Sequence, residues 1–266
     1  MKIYTFAATR PDFIELQLRT FRKYLQEPFS FTVFNNAVFP DKHPYYREEV
    51  DRVCHELGIP VIDVQKDPEL TTRLANQESD YQIFSLGGAY ANPNVACAYP
   101  LCWAWENFIA QEKEPVCFLD SDLFLTGPVR LSEYLERYDM VFVPQFRVGA
   151  KEYMWNVLFL ANPSKLPDPR SINWYCGKIN NVPVDVGGQT YRYLETHPEL
   201  KALRVGARHI DDSDPGADFH PADYEIFYFE DEPKMLHYRS GSNWNYRSNE
   251  YHEKKTTWLK KTIGEN

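Results

Sequence analysis

Apolar positions along the chain change period in an ordered way. Residues 2–8 form a short apolar run of strand length. Ile14, Leu18, Phe21 and Leu25 then recur at helical spacing, with Pro11 and Asp12 in the first turn and Pro28 as the stop. Residues 29–35 alternate and are rich in aromatics, which predicts a second strand. Val50, Val53, Cys54 and Leu57 line one face of a helix over 45–57, and Gly58 ends it. A third short strand is expected at 59–64. Strand–helix–strand–helix–strand opens a parallel α/β half of the nucleotide-binding kind.

Residues 65–93 are polar and read as loops with one short helix. Tyr99, Trp103, Trp105 and Phe108 fill a helix over 96–110 that should be buried on most sides. The run Val116-Cys-Phe-Leu119 is apolar on both faces, as a buried parallel strand must be. It leads into Asp120-Ser-Asp122, then a second apolar run that Gly127-Pro128 closes. A helix over 131–138 and a strand over 140–143 follow. Beyond Gln145 the pattern loosens: a strand at 153–161, a Pro-rich loop at 162–173, Asp185 within 182–188 ahead of a helix over 189–196, and an acidic irregular stretch at 206–225. Short strands are expected at 225–229 and 234–238, then a polar, aromatic tail from Ser240. No repeat or linker divides the chain. One domain is expected, with a nucleotide half over 1–144 and a second half over 145–266 that binds another partner and closes the site.

Composition narrows the partners. With 29 basic and 38 acidic residues the net charge is −9, which argues against nucleic acid or an anionic membrane as the main partner. The five cysteines are odd in number and form no CxxC pair. Reduced, buried thiols in a cytoplasmic protein are expected, and not a disulfide framework or a zinc–thiolate site. No run of about 18 apolar residues is present, so no transmembrane segment is expected. Oligomeric state is left open.

The chemistry centres on Asp120 and Asp122. Ligands of open α/β sheets bind at the carboxyl ends of strands. Two carboxylates there are costly unless a cation meets them, and a hard divalent metal carrying phosphate oxygens is a natural partner. Being two apart, they point the same way in extended backbone. The alternative is a strand-end turn in which Asp bonds local amides. An aspartyl-phosphate phosphatase fits poorly, because Phe124 stands where its motif needs Thr or Val.

Phe118-Leu-Asp-Ser-Asp-Leu-Phe-Leu125 resembles the DxD motif of GT-A glycosyltransferases. Ile3-Tyr-Thr-Phe-Ala-Ala-Thr-Arg10 is similar to the family's first strand and nucleotide loop. Residues 123–135 resemble the passage after the motif. Residues 154–162 resemble a later strand, with Val157 and Leu158 in place of the usual small residues. The resemblance implies a GT-A-like α/β fold with a mixed, mostly parallel sheet flanked by helices. It implies transfer of a sugar from a nucleotide-sugar donor to a glycan or other hydroxyl acceptor, with Mn2+ or Mg2+ on the diphosphate.

By the same resemblance the metal ligands are Asp120, Asp122 and a late histidine, His237, as in glycogenin-like members; His209 and His220 compete for that place. The late histidine leans toward retention of configuration. Ser121, Arg239, Ser240 and Ser242 would serve the diphosphate, and Gly241 would let backbone approach it. Thr5 and Ala7 would line the base through backbone groups. Arg10 would reach base, ribose or phosphate, or else stand as a surface ion-pair residue. Asn94 faces the donor sugar or caps its helix; Gln77 and Asp80 are further candidates. Asp185 is the expected catalytic base, its alternative being a helix cap. Trp155, Asn156 and Trp174 would shape an acceptor pocket. The acidic run 209–218 lacks EF-hand spacing and reads as a solvated loop or lid.

Two rival readings stay open. A sugar-nucleotide nucleotidyltransferase would want a glycine-rich basic loop after the first strand, which Ala7-Ala-Thr-Arg10-Pro lacks. A non-catalytic carbohydrate-binding protein on a transferase fold would not need Asp120, Asp122 and His237.

Overall fold

The computed structural model describes residues 1–37, 45–64, 93–210, 223–239, 241 and 249–264. The opening pattern forms as expected: β1 (Lys2–Ala7), α1 (Pro11–Tyr24), β2 (Ser30–Asn35), α2 (Tyr45–Leu57) and β3 (Val61–Asp63). These three strands pair in parallel, with Thr5 opposite Val33 and Phe34 opposite Ile62. Ile14, Leu18 and Phe21 of α1 pack with Val50 and Cys54 of α2 against Ile3 and Val33. α1 stops at Tyr24, where Leu25 turns extended and bridges to Val129, ahead of the Pro28 stop.

The chain continues with α3 (Pro93–Asn107), β4 (Val116–Asp120), β5 (Leu123–Leu125), α4 (Leu131–Tyr134), β6 (Met140–Gln145) and β7 (Tyr153–Ala161). Then come β8 (Gly177–Ile179), β9 (Val182–Val184), α5 (Tyr191–Thr196), β10 (Ala202–Arg204), β11 (Gly206–His209), β12 (Tyr224–Phe229), β13 (Glu232–Tyr238) and α6 (Asn249–Thr262). The main sheet runs β10-β6-β7-β4-β1-β2-β3. It is parallel except for β7, which is antiparallel to both β4 and β6. The fold is therefore the mixed, mostly parallel α/β class expected. β4 is parallel to β1 alone, and β7, from beyond residue 145, lies centrally in the sheet that the first half builds.

Alternating side chains send the strands' residues to opposite faces. Tyr4, Phe6, Phe118 and Phe142 meet Ala98, Leu101 and Trp105 of α3. Ile3, Cys117, Leu119 and Val141 meet α1 and α2. Both faces of β4 are thus covered, as its apolar run requires. Trp105, Phe118, Phe159 and Trp174 form one aromatic cluster, edge-to-face except for the stacked Phe118–Phe159 pair, with Phe118 and Trp174 centroids 4.6 Å apart. Trp174 is fully buried there. It belongs to the core and does not shape an acceptor pocket.

A second, antiparallel sheet runs β11-β12-β13-β5. Phe13 and Leu16 of α1 join it through Phe124, Leu236 and Tyr238, with Leu259 of α6 and Ile263 just beyond it completing the cluster. Two expectations change here. The stretch 206–225 is not wholly irregular, because residues 206–209 pair with β12. The tail is not only polar coil: α6 forms and buries His252, Lys255 and Leu259. Its inner face carries two titratable side chains among few apolar ones, so its periodicity is faint in sequence. Among the described residues no helix is long and apolar enough to cross a membrane, and none of the five cysteines is in a disulfide.

Candidate active site

The two sheets meet at the turn Ser121–Asp122. β4 ends at Asp120 in the main sheet and β5 begins at Leu123 in the second. The acidic pair therefore does not lie along one extended strand, which corrects the alternation argument. The chain turns between the two residues and both face the junction. Buried Gln17 of α1 fixes this turn by donating from Nε2 to the carbonyls of Asp120 and Leu123, each at 2.8 Å. Nothing in the sequence marks Gln17 beyond a polar residue on an apolar helix face.

Register brings the far end of the chain to the pair. His237 of β13 sits opposite Leu123, one residue past Asp122, and opposite Glu225 of β12. His237 Nε2 lies 3.4 Å from Asp122 Oδ1, and Nδ1 lies 2.9 Å from Glu225 Oε2. A carboxylate on one ring nitrogen fixes the tautomer and turns the other toward the site. The imidazole is held edge-on by Trp155, with centroids 5.3 Å apart. Trp155 thus packs the histidine. Asp122 is held from the other side: Gly241 N donates to Oδ2 at 2.9 Å, and Tyr238 N donates to the Asp122 carbonyl at 2.8 Å. A Cβ on Gly241 would stand 2.7 Å from Asp122 Oδ2 and 2.9 Å from the Phe13 ring, so only glycine fits.

Asp120 is oriented by Asn156, whose Nδ2 donates to its two oxygens at 2.9 and 3.2 Å. Asn156 therefore positions a carboxylate and does not belong to a separate acceptor pocket. Burial, and then the charge of Asp122, push the Asp120 carboxyl up to about 8, against the pull of His237. Burial works to lower His237, but Asp122 and Glu225 outweigh it and raise the imidazole to about 9. Burial would raise Glu225 too; its bond to His237 holds it below the ordinary range.

Asp185 follows β9 in a tight turn. Its Oδ1 accepts from Val186 N at 2.8 Å and its own N–H meets Tyr153 Oη at 3.3 Å. Arg147 Nη2 stands 3.9 Å from Oδ2. Burial raises the Asp185 carboxyl, with Val186 N–H and Arg147 opposing. Its charge in turn helps raise Asp120, so the two carboxylates belong to one electrostatic unit. The turn is bolted to β7, where Met154 N donates to Thr190 Oγ1 at 2.8 Å, and to the segment ahead of β8, where Gly187 N donates to the Trp174 carbonyl at 2.9 Å. The expected helix over 189–196 begins as a 3-10 turn at Gly188–Thr190 before α5.

Other candidates are placed differently. Arg10 does form an ion pair, with half-exposed Asp12, but is itself closed to solvent. It is 5% exposed, donates to Asp12 at 2.7 and 2.6 Å and to Thr256 Oγ1 of α6 at 3.2 Å, and lies 3.6 Å over the Phe13 ring. Thr5 is inside the ladder, flanked by Val33 and Leu119, and Ala7 ends β1 with its carbonyl taken by Asn36 N. Asn94 is the second residue of α3 and half-buried. Arg239 Nε stands 3.7 Å from Glu225 Oε2, and its carbonyl accepts from buried Lys255 Nζ at 3.0 Å. His209 faces Glu225 at 3.8 Å from the rim. Gln77, Asp80, His220, Ser240 and Ser242 lie outside the described residues, as does most of the acidic run. Sequence reasoning missed Gln17 and Glu225. Only long-range register brings them to the site.

Among the described residues no three His, Cys, Asp or Glu side chains stand close enough together to enclose an ion as they are. The donor set nonetheless fits a divalent cation: two carboxylates and an imidazole whose far nitrogen already has its carboxylate partner.

No protein-family model matches the sequence, and no curated protein matches it. Among solved structures the chain is similar to mouse xyloside xylosyltransferase 1 in its apo form, at 12% identity over 77% of this chain and 85% of that one, with a TM-score of 0.46. It is also similar to the galactosyltransferase LgtC with donor and acceptor sugar analogues, at 12% identity over 75% of this chain and 66% of that one, TM-score 0.36. An LgtC active-site mutant, Q189E in its own numbering, gives 14% identity over 75% and 65%, TM-score 0.36. The chain thus spans just under two thirds of LgtC's length.

Proposed function

We propose that the chain is a glycosyltransferase that moves a sugar from a nucleotide-sugar donor to an acceptor hydroxyl, with Mn2+ or Mg2+ held by Asp120, Asp122 and His237. One observation carries the reading. Two sheets and three distant segments converge so that an acidic pair, an imidazole and that imidazole's own carboxylate share one junction. A buried structural ion pair would need no second carboxylate of raised affinity for protons beside it.

When bound, the cation would neutralise charge on the departing diphosphate. The protein's own groups do the rest. Asn156 and Gly241 N hold Asp120 and Asp122 in place. Glu225 keeps His237 turned toward them. Asp185, raised by burial, accepts the proton of the attacking hydroxyl. Arg147 is placed to steady the Asp185 carboxylate. Ser121, Ser240 and Ser242 remain candidates for the diphosphate, Asn94 for the donor sugar, and Thr5, Ala7 and Arg10 for the nucleoside side. Direct attack by a hydroxyl that Asp185 deprotonates inverts the anomeric carbon. A late histidine ligand resembles retaining members instead, and in a retaining course Asp185 would orient the acceptor hydroxyl while the departing diphosphate takes its proton.

The test is release of nucleoside diphosphate from a panel of sugar nucleotides with Mn2+. At least one donor is expected to be hydrolysed slowly without acceptor, and release should stop on chelation. A panel that yields no diphosphate from any donor would leave the non-catalytic carbohydrate-binding reading standing instead.

A further inference from the structure

Beyond the acidic junction, a cavity of about 450 Å³ opens against the turn that carries Asp185. Asn173, Tyr175, Cys176, Lys178, Gln189 and Arg192 line it. That volume suits a sugar ring with a substituent. Its chemistry differs from that of the rest of the surface. The chain carries −9 overall, yet no lining residue is acidic. Elsewhere Arg19, Arg47, Arg52, Arg137 and Arg204 each hold a carboxylate. Among the described residues, Lys178 and Arg192 hold none; Arg192 rests on the Tyr191 ring and hydroxyl.

The cavity is built into the same turn as the catalytic base. Gln189 N donates to the Tyr175 carbonyl at 3.0 Å, and Gly187 N to the carbonyl of Trp174. Burial and then the Asp185 charge raise Cys176, which places the cavity floor within that carboxylate's field. The Tyr175 ring is tilted against Tyr99 of α3, 5.1 Å between centroids, and offers a platform for a sugar face. Gln189 and Asn173 supply amides. A Cβ on Gly177 would come within 2.9 Å of Gln189 Nε2, so the glycine keeps that amide over the cavity wall.

We propose that this cavity receives an acceptor sugar bearing an anionic group, a carboxylate or a phosphate, which Lys178 and Arg192 bind while the ring lies on Tyr175. The proposal rests on the transferase reading for the word acceptor. The binding itself stands on the cavity. A guanidinium and an ammonium converging on one anion give charge-assisted hydrogen bonds and tell an acidic sugar from its neutral analogue.

The experiment is a saturation-transfer NMR titration of the full chain with methyl β-D-glucuronide, glucose 6-phosphate, methyl β-D-glucoside and inorganic phosphate. At least one charged sugar is expected to bind about tenfold tighter than the neutral glucoside, and the stronger of the two identifies the anion. The double variant Lys178→Gln/Arg192→Gln should abolish that preference while keeping its melting temperature. Equal binding of all sugars, no binding, a preference that survives the double variant, or phosphate alone binding as tightly as either charged sugar would overturn the proposal. Stabilisation by nucleoside diphosphate with Mn2+ is measured on the same samples. If it is absent while the charged-sugar preference holds, the transferase reading fails and the cavity stands. If it is present while the preference is absent, the reverse is true.

Discussion

Replacing Asp122 with asparagine is expected to lower metal-dependent diphosphate release by at least about 100-fold, the scale of losing one preorganised charge-stabilising group. The fold should survive, for reasons visible around the side chain. An amide oxygen can still accept from Gly241 N, the bond that Asp122 Oδ2 now makes. The Asp122 carbonyl keeps Tyr238 N, because that contact is main-chain. His237 keeps Glu225 on its other nitrogen. One of two mutually repelling buried carboxylates is gone, which relieves Asp120 of the second-largest influence raising it. Apparent melting temperature should therefore change by less than about 5 °C, a shift of roughly 2 kcal/mol or less for a chain of this size. Lost release with a retained melt separates chemistry from folding. A variant that melts like wild type and still releases diphosphate at the wild-type rate would remove Asp122 from the site.

Gly187→Ala should do the opposite and damage the fold first. Gly187 has φ +86°, and a Cβ there would stand 2.0 Å from the Met154 carbonyl oxygen. That oxygen belongs to the backbone of β7, so no side-chain rotation relieves the clash. A left-handed conformation costs an alanine about 1–3 kcal/mol, and forced repacking adds about 1–3 more. The sum predicts a melting temperature lower by roughly 10 °C. Gly127→Ala is the control: its Cβ would meet nothing within 4 Å. Thermal melts of the two variants side by side decide the matter. Equal melts would mean that the Asp185 turn is not packed on β7 as described.

How far the sequence foretold this protein differs between its parts. β1 through β3 and their two helices were legible because each apolar face repeats at its own period over a short span. The Asp120–Asp122 pair was legible because a two-sided apolar strand ran straight into it. His237 was legible only through the family resemblance, since one histidine in a late apolar run carries no signal of its own. The turn at Ser121–Asp122 was not foreseen: apolar residues on both sides mimic one continuous strand, whereas β4 and β5 belong to different sheets. α6 was hidden because His252 and Lys255 stand on its buried side. Gln17, Glu225 and the true role of Asn156 were hidden for a common reason. Each is a polar side chain whose partner lies far off in sequence, at separations of 103, 12 and 36 residues. Pairing of that kind is decided by strand register and sheet order, which local pattern does not encode.

The central claim is that Asp120, Asp122 and His237 hold a cation on which a nucleoside diphosphate is recognised. Thermal-shift measurement of wild type and Asp122→Asn, across nucleoside diphosphates with and without Mn2+, tests it most directly. At a hundred times its dissociation constant a ligand stabilises the native state by about 2.7 kcal/mol, a readily seen shift. The account predicts that at least one nucleoside diphosphate raises the wild-type melting temperature only when Mn2+ is present, and that Asp122→Asn abolishes the rise. Stabilisation by none of them, or a metal-dependent rise that survives in Asp122→Asn, would contradict it.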